Sequence, residues 1–135
     1  MLTDALVKTP IGTKYLSTLK AGDFLCNELG NPVQIKQIST QKAPVVDLLI
    51  FGHCWVTCSQ DHPWLVKETG GFVEVRQTSE FKSCNRILTK FEDLPFKSIS
   101  VQVGMQIRVE DTFQVELLSN KPFYLLNNGL IAHEG

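Results

Sequence analysis

Trp55-Val56-Thr57-Cys58-Ser59-Gln60-Asp61-His62-Pro63-Trp64 is the stretch on which the reading of this sequence turns. A β-prone run enters a polar turn, and Pro63-Trp64 opens a second strand beyond it. Ser59 and His62, three apart across the turn, can both point at one backbone group. A hydroxyl donates to or accepts from a peptide, and an imidazole of near-neutral pKa can hand a proton to an amide nitrogen. An amide needs that proton before it can leave. Alone, Ser-x-x-His equally describes a turn whose Ser caps the backbone and whose His is solvated.

The same strand-and-turn grammar runs outward from this stretch. Val33-Gln34-Ile35-Lys36-Gln37-Ile38, Phe72-Val73-Glu74-Val75-Arg76 and Met105-Gln106-Ile107-Arg108-Val109 alternate apolar with polar, the period of a half-buried strand. Gly30-Asn31-Pro32, Glu68-Thr69-Gly70-Gly71 and Asn127-Asn128-Gly129 supply turn chemistry, and Gly52-His53 reads as a tight hairpin. No segment holds helical periodicity for three turns. Single helical turns are expected near Ser17–Ala21 and Thr78–Lys82. The fold class is therefore all-β, a sandwich or barrel-like arrangement of short strands.

A chain of 135 residues reads as one domain, residues 1–135, able to bury a real core. The formal charge is −1 from 13 basic and 14 acidic residues, and the basic ones stand singly. A nucleic-acid binder would carry a Lys/Arg stripe to displace phosphate counterions, so none is expected as a partner. No apolar run is long enough to span a bilayer, and Met1-Leu2-Thr3-Asp4 is too polar for a signal peptide. Four cysteines (Cys26, Cys54, Cys58, Cys84) suit a reducing, cytoplasmic compartment better than a disulfide scaffold.

Two pairs of segments match in order. Leu19-Lys20-Ala21-Gly22-Asp23-Phe24-Leu25 resembles Phe81-Lys82-Ser83-Cys84-Asn85-Arg86-Ile87, and Val45-Val46-Asp47-Leu48-Leu49 resembles Gln114-Val115-Glu116-Leu117-Leu118. An internal duplication and chance matching of β-rich segments both account for this.

Three ordered segments then resemble the Hint family: inteins, bacterial intein-like domains and the autoprocessing domain of hedgehog proteins. Leu6-Val7-Lys8-Thr9-Pro10-Ile11-Gly12 leading to Leu19-Lys20-Ala21-Gly22-Asp23 matches the family's opening strand, turn Gly and Leu-x-x-Gly-Asp. Ser59-Gln60-Asp61-His62-Pro63 matches its Thr-x-x-His-Pro with Ser for Thr, and Asn128-Gly129-Leu130-Ile131-Ala132-His133 its closing Asn-Gly, apolar run and His. The resemblance covers nearly the whole chain. It implies a horseshoe of two pseudo-twofold β halves and cofactor-free acyl rearrangement by a monomer acting on its own flanking polypeptides. A nucleophile at the first residue attacks the preceding carbonyl, giving a thioester or ester. Ser59 and His62 hold and protonate the scissile amide, and His133 activates the C-terminal junction. Glu116 or, second to it, Asp61 adjusts histidine protonation.

The departures are specific. Met1 either stands at the nucleophile position, with a thioether that cannot attack, or follows a nucleophile that has been lost, and Glu134 replaces the terminal Asn. Pro122 or Phe123 falls where many members carry another histidine. Acyl activation is expected to be retained and full splicing is not. Cys54, Cys58 and His62 also invite a zinc reading, but residues four apart on a strand lie about 13 Å apart, too far for one tetrahedral ion. No metal or cofactor is expected. A Cys/His hydrolase would use Cys58 with His62. A Hint-like fold serving as a binding module is the non-enzymatic alternative. Cys26, Cys54, Cys84, Trp55, Trp64, Phe72 and Tyr124 read as core, and His53 as a solvated turn residue.

Overall fold

The computed structural model describes residues 1–50, 55–67, 73–81, 86–89 and 97–134. Its strands are β1 (Leu6–Thr9), β2 (Gly12–Tyr15), β3 (Phe24–Cys26), β4 (Pro32–Ile50), β5 (Trp55–Ser59), β6 (Pro63–Val66), β7 (Glu74–Gln77), β8 (Arg86–Thr89), β9 (Lys97–Val103), β10 (Arg108–Leu117), β11 (Phe123–Leu125) and β12 (Ile131–His133). Two single 3-10 turns, Leu16–Thr18 and Thr78–Glu80, are the only helical elements among the described residues. No helix there is long and apolar enough to cross a membrane.

One strand organises the rest. The 19 residues of β4 pair successively with β3 at their start, β10 along their middle, and β5 and β9 at their end. The sheet continues β10-β4-β9-β8-β6-β12-β11, with β7 on β6, while β1 and β2 form a separate hairpin. Inward positions, including Ile35, Leu48, Ile50, Trp64, Val66, Ile87, Val115, Tyr124 and Leu130, form a single core cluster.

The internal repeat has a structural counterpart. Strands β2 and β7 each run into a 3-10 turn, then into a short strand, β3 or β8. Leu19 and Phe81, the first residues of the matched segments, each donate N–H to the carbonyl opening their turn at 3.1 Å, and both pack on the core. The offset carrying Val45–Leu49 onto Gln114–Leu118 also carries Lys42 onto Asp111, its partner across the β4–β10 ladder. An antiparallel ladder is two-fold about its midpoint, so the local dyad passes through that pair.

The Leu-x-x-Gly-Asp turn is explained by its bonds. Asp23 Oδ2 accepts from the Lys20 N–H at 3.0 Å, and Gly22 takes a φ of 95° that other residues avoid. Reciprocal bonds from Gly22 N–H to the Ile35 carbonyl and from Ile35 N–H to the Asp23 carbonyl dock the turn on β4.

Several expectations shift. Strand β10 begins at Arg108 rather than Met105: Gly104 N–H bonds the Asp47 carbonyl, and the chain leaves the sheet with Met105 98% exposed. Strand β7 begins at Glu74, and its apolar Val75 faces solvent, as an edge strand allows. The turns are Leu16–Thr18 and Thr78–Glu80 rather than their longer expected spans. Trp55 is exposed because β5 turns Val56 and Cys58 inward, and alternation sends its neighbours out. Trp64 and Tyr124 are core, Cys26 is half-buried, and Cys26 and Cys58 are free thiols. Phe72, Cys54, Cys84, the Gly52-His53 hairpin and the Glu68–Gly71 turn lie outside the described residues.

The first residues are built into this sheet. Leu2 makes bridges to Cys58 on β5 and to Phe113 on β10, and its side chain is fully buried. Leu2→Ala should therefore cost about 2–5 kcal/mol, the range for a buried Leu truncation, measured by denaturant unfolding. A loss below about 1 kcal/mol would mean that the segment frays.

Candidate functional site

The turn between β5 and β6 is set by its own backbone. The His62 N–H bonds the Ser59 carbonyl at 3.1 Å, closing Ser59–His62 into a β-turn. Thr78, in the second 3-10 turn, locks it from behind: its N–H and Oγ1 both donate to the His62 carbonyl, at 3.0 and 2.8 Å. Trp64 Nε1 donates to Thr78 Oγ1 at 3.1 Å, and Cys58 Sγ lies 3.5 Å from it. Thr78 is buried. The sequence marked it only as the start of a helical turn, since a Thr satisfied by three distant neighbours carries no local pattern.

Into this turn comes the backbone nitrogen of Met1. It lies 2.7 Å from Ser59 Oγ and 2.8 Å from His62 Nδ1. The Met1 carbonyl accepts from the Ser59 N–H at 2.7 Å, which fixes the approach. Ser59 Oγ in turn donates to Asp61 Oδ1 at 2.5 Å. A nitrogen, a hydroxyl, an imidazole and a carboxylate thus form one connected chain.

His62 is 1% exposed, with its ring edge against Trp64 at 4.8 Å. With an N–H of residue 1 donating to Nδ1, the ring proton sits on Nε2, a buried atom with no partner among the described residues. Burial first, then the cationic Met1 amine and His133, hold the His62 pKa well below its usual value. The Met1 amine is itself lowered from 8.0 to about 6, chiefly by burial, against smaller opposing effects of Cys58 and Asp61.

His133 reaches the same neighbourhood from the other end of the chain. Ala132 on β12 pairs with Trp64 on β6, two residues beyond His62. His133 is half-buried, ring edge to Phe123 at 5.5 Å, and burial lowers its pKa against the raising effect of the Glu134 carboxylate. Glu134 is fixed by three bonds: its N–H to the Pro122 carbonyl at 2.7 Å, Gln114 Nε2 to its carbonyl at 3.2 Å, and the Leu117 N–H to its Oε2 at 2.8 Å. The last falls at the β-bulge between Glu116 and Leu117, where an N–H leaves the ladder.

Of the seven candidates, Met1, Ser59, Asp61 and His62 form the bonded chain, with His133 and Glu134 on the adjoining β12 end. Glu116 is exposed on β10 opposite Gln37, and the carboxylate joined to the site is that of Asp61. The sequence reading passed over Gln114 and Thr112. Thr112 Oγ1 lies 3.7 Å from Met1 Sδ while donating to the Gln41 carbonyl at 2.7 Å. Burial pushes the Cys58 thiol up, the reverse of what a thiolate nucleophile needs. Among the described residues no three His, Cys, Asp or Glu side chains are grouped to hold a metal, and Cys54 lies outside them.

Solved structures similar to this chain include inteins. A variant of the MchDnaB-1 intein superposes with a TM-score of 0.76 at 17% identity, over 99% of this chain and 98% of its own. The Msm DnaB1 intein splicing domain bound with zinc gives 0.75 at 17% identity, covering 98% of each chain. A Ssp DnaB mini-intein variant gives 0.80 at 12% identity, over 98% of this chain and 93% of its own. No family model and no curated protein matches the sequence. The chain has the all-β Hint fold of these inteins.

Both buried nitrogen groups disfavour the cation, so the unfolded chain binds more protons as pH falls. With a free Met1 amine, stability is retained above pH 8.0. It declines through the window down to about 6 for the amine, and below 6.5 for His62. Thermal melts should show Tm falling as pH is lowered, and His62→Gln should flatten the limb below 6.5. A Tm that rises on acidification would overturn the burial assignment.

Proposed function

We propose that residues 1–135 form one self-processing domain that activates the peptide at residue 1 by acyl shift, without a cofactor, on its own flanking polypeptides. The observation that carries this reading is the position of the residue-1 nitrogen, 2.7 Å from Ser59 Oγ and 2.8 Å from His62 Nδ1. In a chain continued upstream, that nitrogen is the amide of the bond to be broken.

The chemistry follows from the contacts. Attack by a side chain of residue 1 on the preceding carbonyl builds a tetrahedral centre, and the C–N bond breaks only if its nitrogen gains a proton. His62, when protonated, is a strong acid because burial destabilises its cation, and its Nδ1 faces that nitrogen. Ser59 Oγ holds the nitrogen by accepting its N–H, and its own hydrogen bond to Asp61 fixes the orientation of that hydroxyl. His133, adjoining at the end of β12, serves the peptide after Glu134. The thioether of Met1 cannot attack, and Glu134 lacks the amide nitrogen through which a terminal Asn cyclises. In this form the chain is accordingly altered or inactive in splicing while keeping its acyl-activation groups.

Intact-mass analysis of a fusion carrying an upstream peptide and Met1→Cys provides the test. Added thiol should release the upstream peptide, whereas the Met1 parent should release none. His62→Ala in that fusion should slow release by about 10²–10⁴-fold, the usual worth of a positioned acid. Ser59→Ala should slow it by about 2–13-fold, as for one lost hydrogen bond of ~0.5–1.5 kcal/mol. His133→Ala should spare the N-terminal step. A folded Met1→Cys fusion that thiol leaves intact would instead favour a Hint fold kept as a binding module.

A further inference from the structure

Residue 134 is held more closely than a strand end requires. Strand β12 stops at His133, so the carbonyl of Glu134 has no ladder partner, yet the half-buried Gln114 amide reaches it at 3.2 Å. A carbonyl only accepts, so the Gln114 atom facing it is Nε2, and the bond has one possible sense. The Pro122 carbonyl and the Leu117 N–H fix the same residue by its N–H and its carboxylate. These three contacts orient one acyl group and leave Gln114 as the donor on its oxygen.

We infer that Gln114 is a catalytic residue of the C-terminal step, stabilising the oxyanion that forms on the residue-134 carbonyl when the bond to Gly135 is broken. This rests on the self-processing reading above. Whatever nucleophile attacks that carbon, its oxygen takes up negative charge, and a donor already aimed there strengthens as the charge develops. A ground-state length of 3.2 Å suits such a bond, which tightens along the reaction. The carboxylate of Glu134 is bonded to the Leu117 N–H, away from this role.

Full-length chain with a reporter peptide after Gly135, carrying Glu134→Asn, tests the idea. There the Asn side-chain nitrogen bonds to the residue-134 carbonyl carbon and loses a proton. The C–N bond to Gly135 breaks, and the released nitrogen gains a proton. With Gln114 intact the reporter should be released. Gln114→Leu should slow release about 10²-fold, the cost of one oxyanion donor, without changing thiol cleavage in the Met1→Cys fusion. Gln114→Glu should be slow at neutral pH and approach the Gln114 parent as pH falls toward about 4.3, where a carboxyl becomes a donor.

Equal release from Gln114 and Gln114→Leu would overturn the inference while leaving the self-processing reading intact. No release with Gln114 intact would instead count against the C-terminal part of that reading. Isotope-edited infrared spectroscopy of a 13C-labelled residue-134 carbonyl would then decide the inference separately. A stretch moved to higher frequency by Gln114→Leu supports polarisation by Gln114, and an unmoved one overturns it.

Discussion

The insertion of Leu2 between β5 and β10 is the constraint on which the site depends. A residue paired on both sides and fully buried leaves its neighbour little freedom. The Thr3 N–H to the Thr57 carbonyl and the Phe113 N–H to the Leu2 carbonyl, at 3.1 and 2.7 Å, continue the ladders to either side. Three backbone bonds, counting that from Ser59 to the Met1 carbonyl, deliver the residue-1 nitrogen to Ser59 and His62. The geometry of the site is thus set by main-chain bonds, which do not depend on the side chain at residue 1. A thioether can occupy that position without displacing the nitrogen.

Burial does the electrostatic work. Buried and edged by Trp64, His62 resists protonation, and a nearby ammonium and a second histidine add to that resistance. A proton placed on such a ring is given up readily to a nitrogen at 2.8 Å. The same burial costs stability in acid, so the groups suited to activating an amide are those that make the fold sensitive to protons. Thr78 carries the opposite duty. By satisfying the His62 carbonyl twice, it leaves the backbone of the turn no competing partner for the imidazole.

What could be read in the sequence was what is local. Ser59-x-x-His62-Pro63 is a turn whose chemistry lies within five residues, and Leu19-x-x-Gly22-Asp23 is a turn closed by its own aspartate. Alternation found β4, but it extended β10 back to Met105, because apolar residues outside a sheet alternate as well as those inside one. The matched segments at Leu19 and Phe81 marked equivalent positions in the two halves, each following a 3-10 turn. Glu116 was favoured over Asp61 because an acid on a matching strand resembled the family pattern, yet its side chain is exposed opposite Gln37, and the acid bonded to Ser59 is Asp61. Thr78, Thr112 and Gln114 escaped notice for one reason: each acts on a residue distant in the chain. Their partners are fixed by the sheet, and no spacing rule encodes a contact between residue 114 and residue 134.

Strand β10 also lies against both residue 1 and residue 134, the two positions at which the self-processing reading puts chemistry. Consecutive residues of that strand reach both chain ends. Thr112 stands beside the Met1 sulfur, Phe113 donates its N–H to the Leu2 carbonyl, and Gln114 donates to the Glu134 carbonyl. Residues two apart on a strand share a face and lie about 7 Å apart. The side chain of residue 1 and the acyl oxygen of residue 134 are therefore anchored within one strand repeat, on the same side of β10. On the self-processing reading, an acyl group transferred to the side chain of residue 1 and the carbonyl of residue 134 meet over one strand. Local change at either end, such as Met1 or Glu134, can then remove a chemical step while the strand that aligns both ends is left as it was.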